Sequence, residues 1–327
     1  MTLRLAGSSS GYTEIDSPAV GANNTLTLPT TANGTLVAAD PSGSLGAVTV
    51  SSLNSGPIAG MRNRIINGKH DVWQRGTSTT ATGNTYLADR WASAFSTGGT
   101  VSQETSSLPA GSRYAWKFVA SASNSFMQVG QQIEYMNCLD LQNTTVAISF
   151  MARAVTANTG STALTVRTRT IAGIDGTCLF AGTNADTAVT LTTAWTRYTV
   201  TRTLPATFGS LSLEFALGSH TSGDGIMLSQ IQLEAGTVST PYERRDFGQE
   251  LSLCQRYYQQ APDETFVVLT TQYASWLFPV AMRAAPTMSI IGNTGSGASF
   301  AMTQAGFYQI SANNAPAGVG FTAAAEF

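Results

Sequence analysis

Leu211-Ser212-Leu213-Glu214-Phe215-Ala216-Leu217 places an apolar residue at every odd position and a small or polar one at every even position. That period of two belongs to a β-strand with one face buried and the other wet. The same alternation runs through Val146-Ala147-Ile148-Ser149-Phe150, through Ala163 to Val166, and through Trp195-Thr196-Arg197-Tyr198-Thr199-Val200. Turns containing Gly, Asn and Asp separate these runs, so residues 61–245 read as a β-sandwich or jelly roll. One helix follows. Phe247, Leu251, Cys254 and Tyr258 fall on a single α-helical face, Asp246 and Gln249 form a capping pair at its start, and Pro262 stands beyond its end. Strands return at Phe266-Val267-Val268-Leu269, Met288-Ser289-Ile290-Ile291 and Phe307-Tyr308-Gln309-Ile310, making residues 246–327 a helix plus a small β-rich tip.

The two ends are short of core. Residues 1–60 carry four charges, Arg4, Glu14, Asp16 and Asp40, and only brief alternating stretches such as Leu3-Arg4-Leu5, Leu26-Thr27-Leu28 and Val48-Thr49-Val50. A segment this poor in apolar mass stays disordered or wraps with identical copies that supply its missing neighbours. The regular turn spacing favours wrapping, as an N-terminal fibre or attachment segment. From Ala284 onward Glu326 is the one charged residue, which resembles a β-structured trimer interface more than a solvated tail. The expected fold is mainly β and assembled as an intertwined trimer.

Composition removes several functions. Of the 327 residues 43% are hydrophobic and 11% charged, where an ordinary soluble protein carries about 25% charged residues. Only two lysines, Lys69 and Lys117, stand among 17 basic residues, and the net charge is −2. With no basic stripe to neutralise phosphates, no nucleic-acid partner is expected. No apolar run approaches ~20 residues, so membrane insertion is not expected either. The first residues lack a hydrophobic h-region, which argues against a cleaved secretory leader. Cys138, Cys178 and Cys254 are odd in number and far apart, so they read as buried free thiols of a protein made in a reducing cytoplasm.

The search for chemistry yields little. His70 and His220 have no cysteine or carboxylate at metal-ligand spacing, so no metal or other cofactor is expected. Gly7-Ser8-Ser9-Ser10-Gly11 matches the pattern of a serine-nucleophile elbow, but Tyr12-Thr13-Glu14-Ile15 after it reads as strand where the elbow needs a helix. Gly292-Asn293-Thr294-Gly295-Ser296-Gly297 lacks the lysine and helix of a phosphate loop. Glu134, Glu214 and Asp224 are available in principle as a glycosidase pair, although solvated or turn-capping roles fit them better. No catalytic residue is assigned. Aromatics are the remaining signal, since a flat ring can cover the C–H face of a sugar. Trp73, Trp91, Trp116, Trp195 and Trp276 are all available, with core positions the competing reading for each. Trp276, with Tyr273, is the pair singled out as a carbohydrate platform.

Three stretches carry a resemblance. The first is Ile65-Ile66-Asn67-Gly68, then Asp71-Val72-Trp73-Gln74-Arg75-Gly76-Thr77, Tyr86 and Ala88-Asp89-Arg90-Trp91. The second is Gln230-Ile231-Gln232-Leu233-Glu234-Ala235-Gly236, Thr240-Pro241-Tyr242-Glu243-Arg244-Arg245, Glu250-Leu251 and Leu253-Cys254-Gln255-Arg256-Tyr257-Tyr258. The third is Phe278-Pro279-Val280 and Met282-Arg283-Ala284-Ala285-Pro286-Thr287. Together they resemble tail fibre proteins of tailed phages, including those infecting cyanobacteria and other aquatic bacteria. The resemblance implies a jelly roll similar to carbohydrate-binding modules, held in a homotrimeric fibre of the virion. The Asn-Gly and Gln-Leu-Glu segments look like its first and last strands, so the motif residues would maintain the fold. Lys69-His70 stand where many relatives have an acidic residue followed by an aromatic. Such jelly rolls often keep a calcium ion near the first strand, and the departure puts that site in doubt.

Three functions follow: a fibre that adsorbs to host surface polysaccharide or lipopolysaccharide without cleaving it, a structural connector of tail or baseplate, and a depolymerising tailspike. No long β-helical repeat of the tailspike kind is visible, and the first is preferred.

Overall fold

The computed structural model describes residues 3–6, 12–15, 60–81, 85–96, 98–123, 126–268, 276–291, 299–311 and 317–327. The chain divides into two units, Met1–Thr49 and Val50–Phe327. In the first unit, β1 (Leu3–Ala6) and β2 (Tyr12–Ile15) form an antiparallel pair in which Leu3 faces Ile15 and Ala6 faces Tyr12. Residues 7–11 therefore link two strands, and the helix required by a serine elbow is replaced by β2. The stretches at 26–28 and 48–50 lie outside the described residues, as do Leu269, Tyr273 and residues 292–297.

The second unit holds two six-stranded antiparallel sheets. One runs in the order β11 (Thr183–Thr190), β10 (Ala163–Ile171), β13 (Ser210–Leu217), β8 (Met127–Ile133), β5 (Ala92–Phe95) and β4 (Thr85–Tyr86). The other runs β12 (Thr196–Thr203), β9 (Thr145–Ala154), β14 (Gly225–Ala235), β7 (Ala115–Ala120), β6 (Gly99–Glu104) and β3 (Ser78–Ala81). Their inner faces meet as a sandwich: the Phe150 ring of β9 stands edge-on to Phe215 of β13 at 4.8 Å, and Trp91 lies 6.4 Å from Phe215. The alternating apolar residues read from the sequence fill this core, with Ile148, Leu164, Leu213, Leu217 and Leu228 fully buried. Each such side chain contributes about 1.5–3 kcal/mol.

The outer face of β13 is not wet. Ser212 and Glu214 are both fully buried. The segment after β10 folds back over them, and Phe180 donates its N–H to Glu214 Oε1 at 2.8 Å while Arg169 Nε reaches Oε2 at 2.9 Å. Gly130 on the neighbouring strand makes room, because a Cβ there would come within 2.7 Å of Glu214 Cγ. The period of two survives; what covers the second face is a long-range contact.

The Asn-Gly segment is likewise not a regular first strand. Asn67 and His70 both adopt left-handed φ values, +56° and +57°, which break any extended run. The segment still docks beside β14: Arg64 N–H donates to Leu233 O and Ile231 N–H to Gly68 O, each at 2.9 Å. In its pairing with β9, β14 shifts register between Ser229 and Gln232, next to these docked residues.

Helix α1 spans Phe247–Gln255. Cys254 is on its buried side as expected, but Phe247 is 59% exposed and Tyr258 already belongs to the next strand. Glu250 takes the inner position, accepting the Asn67 N–H. Asp246 makes no side-chain cap; its carbonyl accepts the Glu250 N–H at 3.0 Å. Beyond the helix lie two three-stranded sheets. The first contains β15 (Tyr258–Val268), β20 (Ala317–Ala324) and β17 (Thr287–Ile291). The second contains β16 (Trp276–Leu277), β19 (Gly306–Ser311) and β18 (Ser299–Thr303). Pro262 sits inside β15, where the register shifts between Ala261 and Phe266 and no ladder N–H is required of it.

Candidate functional site

The three sequence stretches converge. Asn67 Nδ2 donates to Val72 O at 2.9 Å and Asp89 O at 3.0 Å, its Oδ1 accepts Val72 N–H at 3.0 Å, and its carbonyl accepts Trp91 Nε1–H at 3.0 Å. Asn63 Nδ2 donates to Ile231 O at 3.0 Å while its own N–H donates to Glu243 Oε2 at 2.7 Å. Glu234 collects Arg62 Nε at 2.9 Å and Thr240 N–H at 2.7 Å, and Gln232 Oε1 accepts Glu243 N–H at 2.8 Å. Arg90, 1% exposed, ion-pairs with Glu326, donates to Gln132 O at 2.5 Å and stacks 3.4 Å from the Tyr257 ring centre. Arg283 of the third stretch holds the carbonyls of Ala325 and Glu326, both at 2.9 Å. These residues are buried or half-buried and spend their polar atoms on backbone groups and on one another, which is what maintaining a fold requires.

The carboxylates considered for catalysis are each committed elsewhere. Glu134 takes a two-pronged pair from Arg256 at 3.0 Å, and Glu214 is held by Arg169 and Phe180. Asp224 is a turn clamp: burial pushes its pKa up, but N–H groups of Thr221, Thr159 and Gly160 outweigh this and hold it down at about 2. His70 is fully buried against Trp91 at 5.1 Å, and burial pushes its pKa down to about 3, so the ring is neutral. Among the described residues no group of three or more His, Cys, Asp or Glu could hold a metal ion. Cys138, Cys178 and Cys254 are free and buried, and burial raises the first two thiols to about 12.

The tryptophans divide. Trp91 and Trp116 are fully buried core residues, whereas Trp73 and Trp195 are half-buried, with Trp195 Nε1–H donated to Ser107 O at 3.3 Å. Trp276 is also half-buried and stands edge-on to Phe321 at 5.9 Å. Its proposed companion Tyr273 lies outside the described residues, so the pair is not brought together here.

A different place has the form of a site. A cleft of about 340 Å³ opens between the 67–71 turn, the 111–113 loop, the 242–245 segment and the start of α1. Lys69, Asp71, Arg113, Arg244, Arg245 and Glu250 line it, four cations against two carboxylates, with Tyr242 in its wall and Phe247 beside it. Lys69 is 8% exposed; its ammonium donates to Gly111 O and lies 6.0 Å from the Tyr242 ring centre. Burial lowers the Lys69 pKa, with Asp71 pulling it back up. Asp71 is pushed up by burial and pulled down by Lys69, Arg244 and Arg113, which places the three cations around one carboxylate. Arg245 is spent on Glu250, at 3.5 Å, and on the Ile65 carbonyl at 2.9 Å. Arg113 and Arg244 are exposed and form no ion pair among the described residues. Sequence reading missed this cleft because its walls come from four separate segments. The available signal was Lys69 together with Arg244-Arg245, cations concentrated in a chain that has few.

No helix among the described residues is long and apolar enough to cross a membrane. No protein-family model matches the sequence, and no curated protein does. Several solved structures are similar in part. The enzymatically active domain of tailspike protein 4 from bacteriophage CBA120 matches at 11% identity and TM-score 0.38, covering 57% of this chain and 24% of that one. A family 61 carbohydrate-binding module solved with β-1,4-galactotriose matches at 12% identity and TM-score 0.32, over 54% of this chain and 99% of the module. The CBM22-1 xylan-binding domain of Paenibacillus barcinonensis matches at 14% identity and TM-score 0.32, over 53% and 94% of the two chains. The chain thus spans about a quarter of the tailspike domain it is compared with, and identities this low leave its function to be argued from its own residues.

Proposed function

We propose that the chain is a non-catalytic tail fibre protein of a phage virion, a homotrimer that mediates adsorption by binding host surface polysaccharide or lipopolysaccharide. The observation that carries the binding role is the solvent-open cleft beside the sandwich, where free cationic donors, a carboxylate and an exposed phenyl ring converge. Sugars are recognised by this mixture: hydroxyls need charged or polar partners, and a ring's C–H face needs a flat apolar one. The fibre role is supported by the tail-fibre motifs and by ends too poor in core to stand alone. The N-terminal segment would attach to tail or baseplate proteins. Modest affinity per site is adequate, since three linked sites raise avidity by ~10²–10⁴.

Light scattering tests the assembly, with three copies of the 34.2 kDa chain expected and a monomer at micromolar concentration counting against a fibre. Binding to an array of bacterial surface oligosaccharides tests the adsorption role; a trimer that binds none of them and no host cells is the structural connector instead. Release of reducing ends from a bound polysaccharide would overturn the non-catalytic assignment.

A further inference from the structure

Resting on the glycan-binding reading, we propose that the cleft selects an acidic sugar unit, one bearing a carboxylate or a phosphate ester, over a neutral one. Lys69 carries the first part of the case. It is 8% exposed yet has a single hydrogen-bond acceptor among the described residues, the Gly111 carbonyl. An ammonium has three donors, so two remain for a group entering the cleft. Asp71, the carboxylate whose charge acts on Lys69, forms no ion pair with it among the described residues, and its buried Oδ1 accepts from no donor there. A protein that wanted only to neutralise Lys69 would have brought these two together.

Arg113 and Arg244 supply the second part. Both line the same cleft, are exposed and form no ion pair among the described residues; the Arg113 guanidinium lies 5.0 Å from the Tyr114 ring centre, a face contact that leaves its N–H edge, like that of Arg244, for a bidentate contact with a carboxylate or phosphate. Helix α1 begins at the cleft with no side-chain cap, and the one acid of its first turn, Glu250, is turned inward to Asn67 and Arg245. Phe247, 59% exposed on that first turn, is placed for the ring of the sugar whose acid group the cations hold. A neutral sugar would use the phenyl face and Asp71 but leave the unused donors of Lys69, Arg113 and Arg244 without an anion.

The experiment is titration calorimetry of the trimer with a uronic-acid oligosaccharide, its neutral counterpart of the same linkage, a phosphorylated oligosaccharide, and inorganic phosphate as a competitor. The acidic sugars are expected to bind at least about tenfold tighter than the neutral one, with roughly up to fivefold arising from each exposed guanidinium. That preference should shrink on going from about 20 to about 200 mM KCl, as screening requires. Phosphate should compete with the acidic sugars and leave any neutral binding unchanged. Arg113→Gln/Arg244→Gln, two exposed positions whose loss leaves the core intact, should lower the acidic-to-neutral ratio by about fivefold or more, leaving the share that Lys69 supplies. Phe247→Ala should weaken acidic and neutral sugars alike. Equal binding of acidic and neutral sugars, untouched by the double substitution, overturns this inference while leaving glycan binding in place. Binding of none of them to the folded trimer removes both. Which acidic sugar binds best separates a uronate from a phosphate ester.

Discussion

Replacing Asn67 with alanine separates two physical demands that meet at one residue. Its side chain answers three buried backbone groups, the carbonyls of Val72 and Asp89 and the Val72 N–H, at 2.9–3.0 Å. Its own φ of +56° adds a second demand, since asparagine tolerates the left-handed region better than alanine. Leaving a buried group unanswered costs about 1–3 kcal/mol, although a water entering the space left by the amide offsets part of this. The left-handed backbone adds about 1 kcal/mol for alanine. Together these suggest a loss of about 4 kcal/mol, or a fall in melting temperature of roughly 8–16 °C for a sandwich of this size. Asn67→Gly relieves the backbone but not the hydrogen bonds, so it should sit about 1 kcal/mol above Asn67→Ala. Asn67→Asp keeps the shape but turns an oxygen toward two carbonyls, and should be at least as damaging as alanine near neutral pH. Urea unfolding of the four proteins, followed by tryptophan fluorescence at equal protein concentration, gives the order. The account fails if alanine lies within 1 kcal/mol of the parent, or if glycine is the worse of the two.

Gly68→Ala would place a Cβ 2.2 Å from the Ile231 carbonyl oxygen, so backbone must move where the 67–71 turn docks on β14; a loss of about 1–3 kcal/mol is expected in the same unfolding assay. Arg90→Met removes a buried guanidinium from Glu326 and Tyr257, and because Arg75 still reaches Glu326 at 3.0 Å the loss should be about 3 kcal/mol. Hydrogen exchange should quicken at residues 321–327 in that variant, and unchanged protection there would show that Arg90 does not hold them. Asp224 and Glu104 are both held at about 2, so each contributes stability that is complete above its unfolded value near 4 and is lost as pH falls from about 4 toward 2. In each, burial acts upward but hydrogen bonds win, to Ser106, Ser107 and Lys117 in the case of Glu104. Asp224→Asn should therefore lower stability at pH 7 and flatten the acid limb of the urea midpoint; a limb parallel to the parent's refutes the assignment.

Much of the fold was legible because β-structure writes itself locally. In Leu211–Leu217 each residue's face follows from the pleat, so alternation named the strand and its inward residues without knowledge of any neighbour. What covers the outward residues is a matter of distant chain. Nothing near Glu214 in sequence announces that Phe180 and Arg169 will close over it. Phe247 fails for a related reason: helical spacing places it on a face with Leu251 and Cys254, but only the packing of α1 decides that the face holding Glu250 turns inward.

The site divides in the same way. The amino-acid sequence by itself determined that the chain is strand-rich, poor in charge, and supplied with motif residues suited to a scaffold, since composition and period depend on neighbours in the chain. It did not determine which cations would meet. Lys69, Arg113 and Arg244 are separated by more than forty residues at each step, and they form one cleft because the 67–71 turn docks against β14 and α1 closes beside it. Proximity across the chain is set by the sandwich's long-range pairing, and that is why only the tertiary structure could bring these cations together.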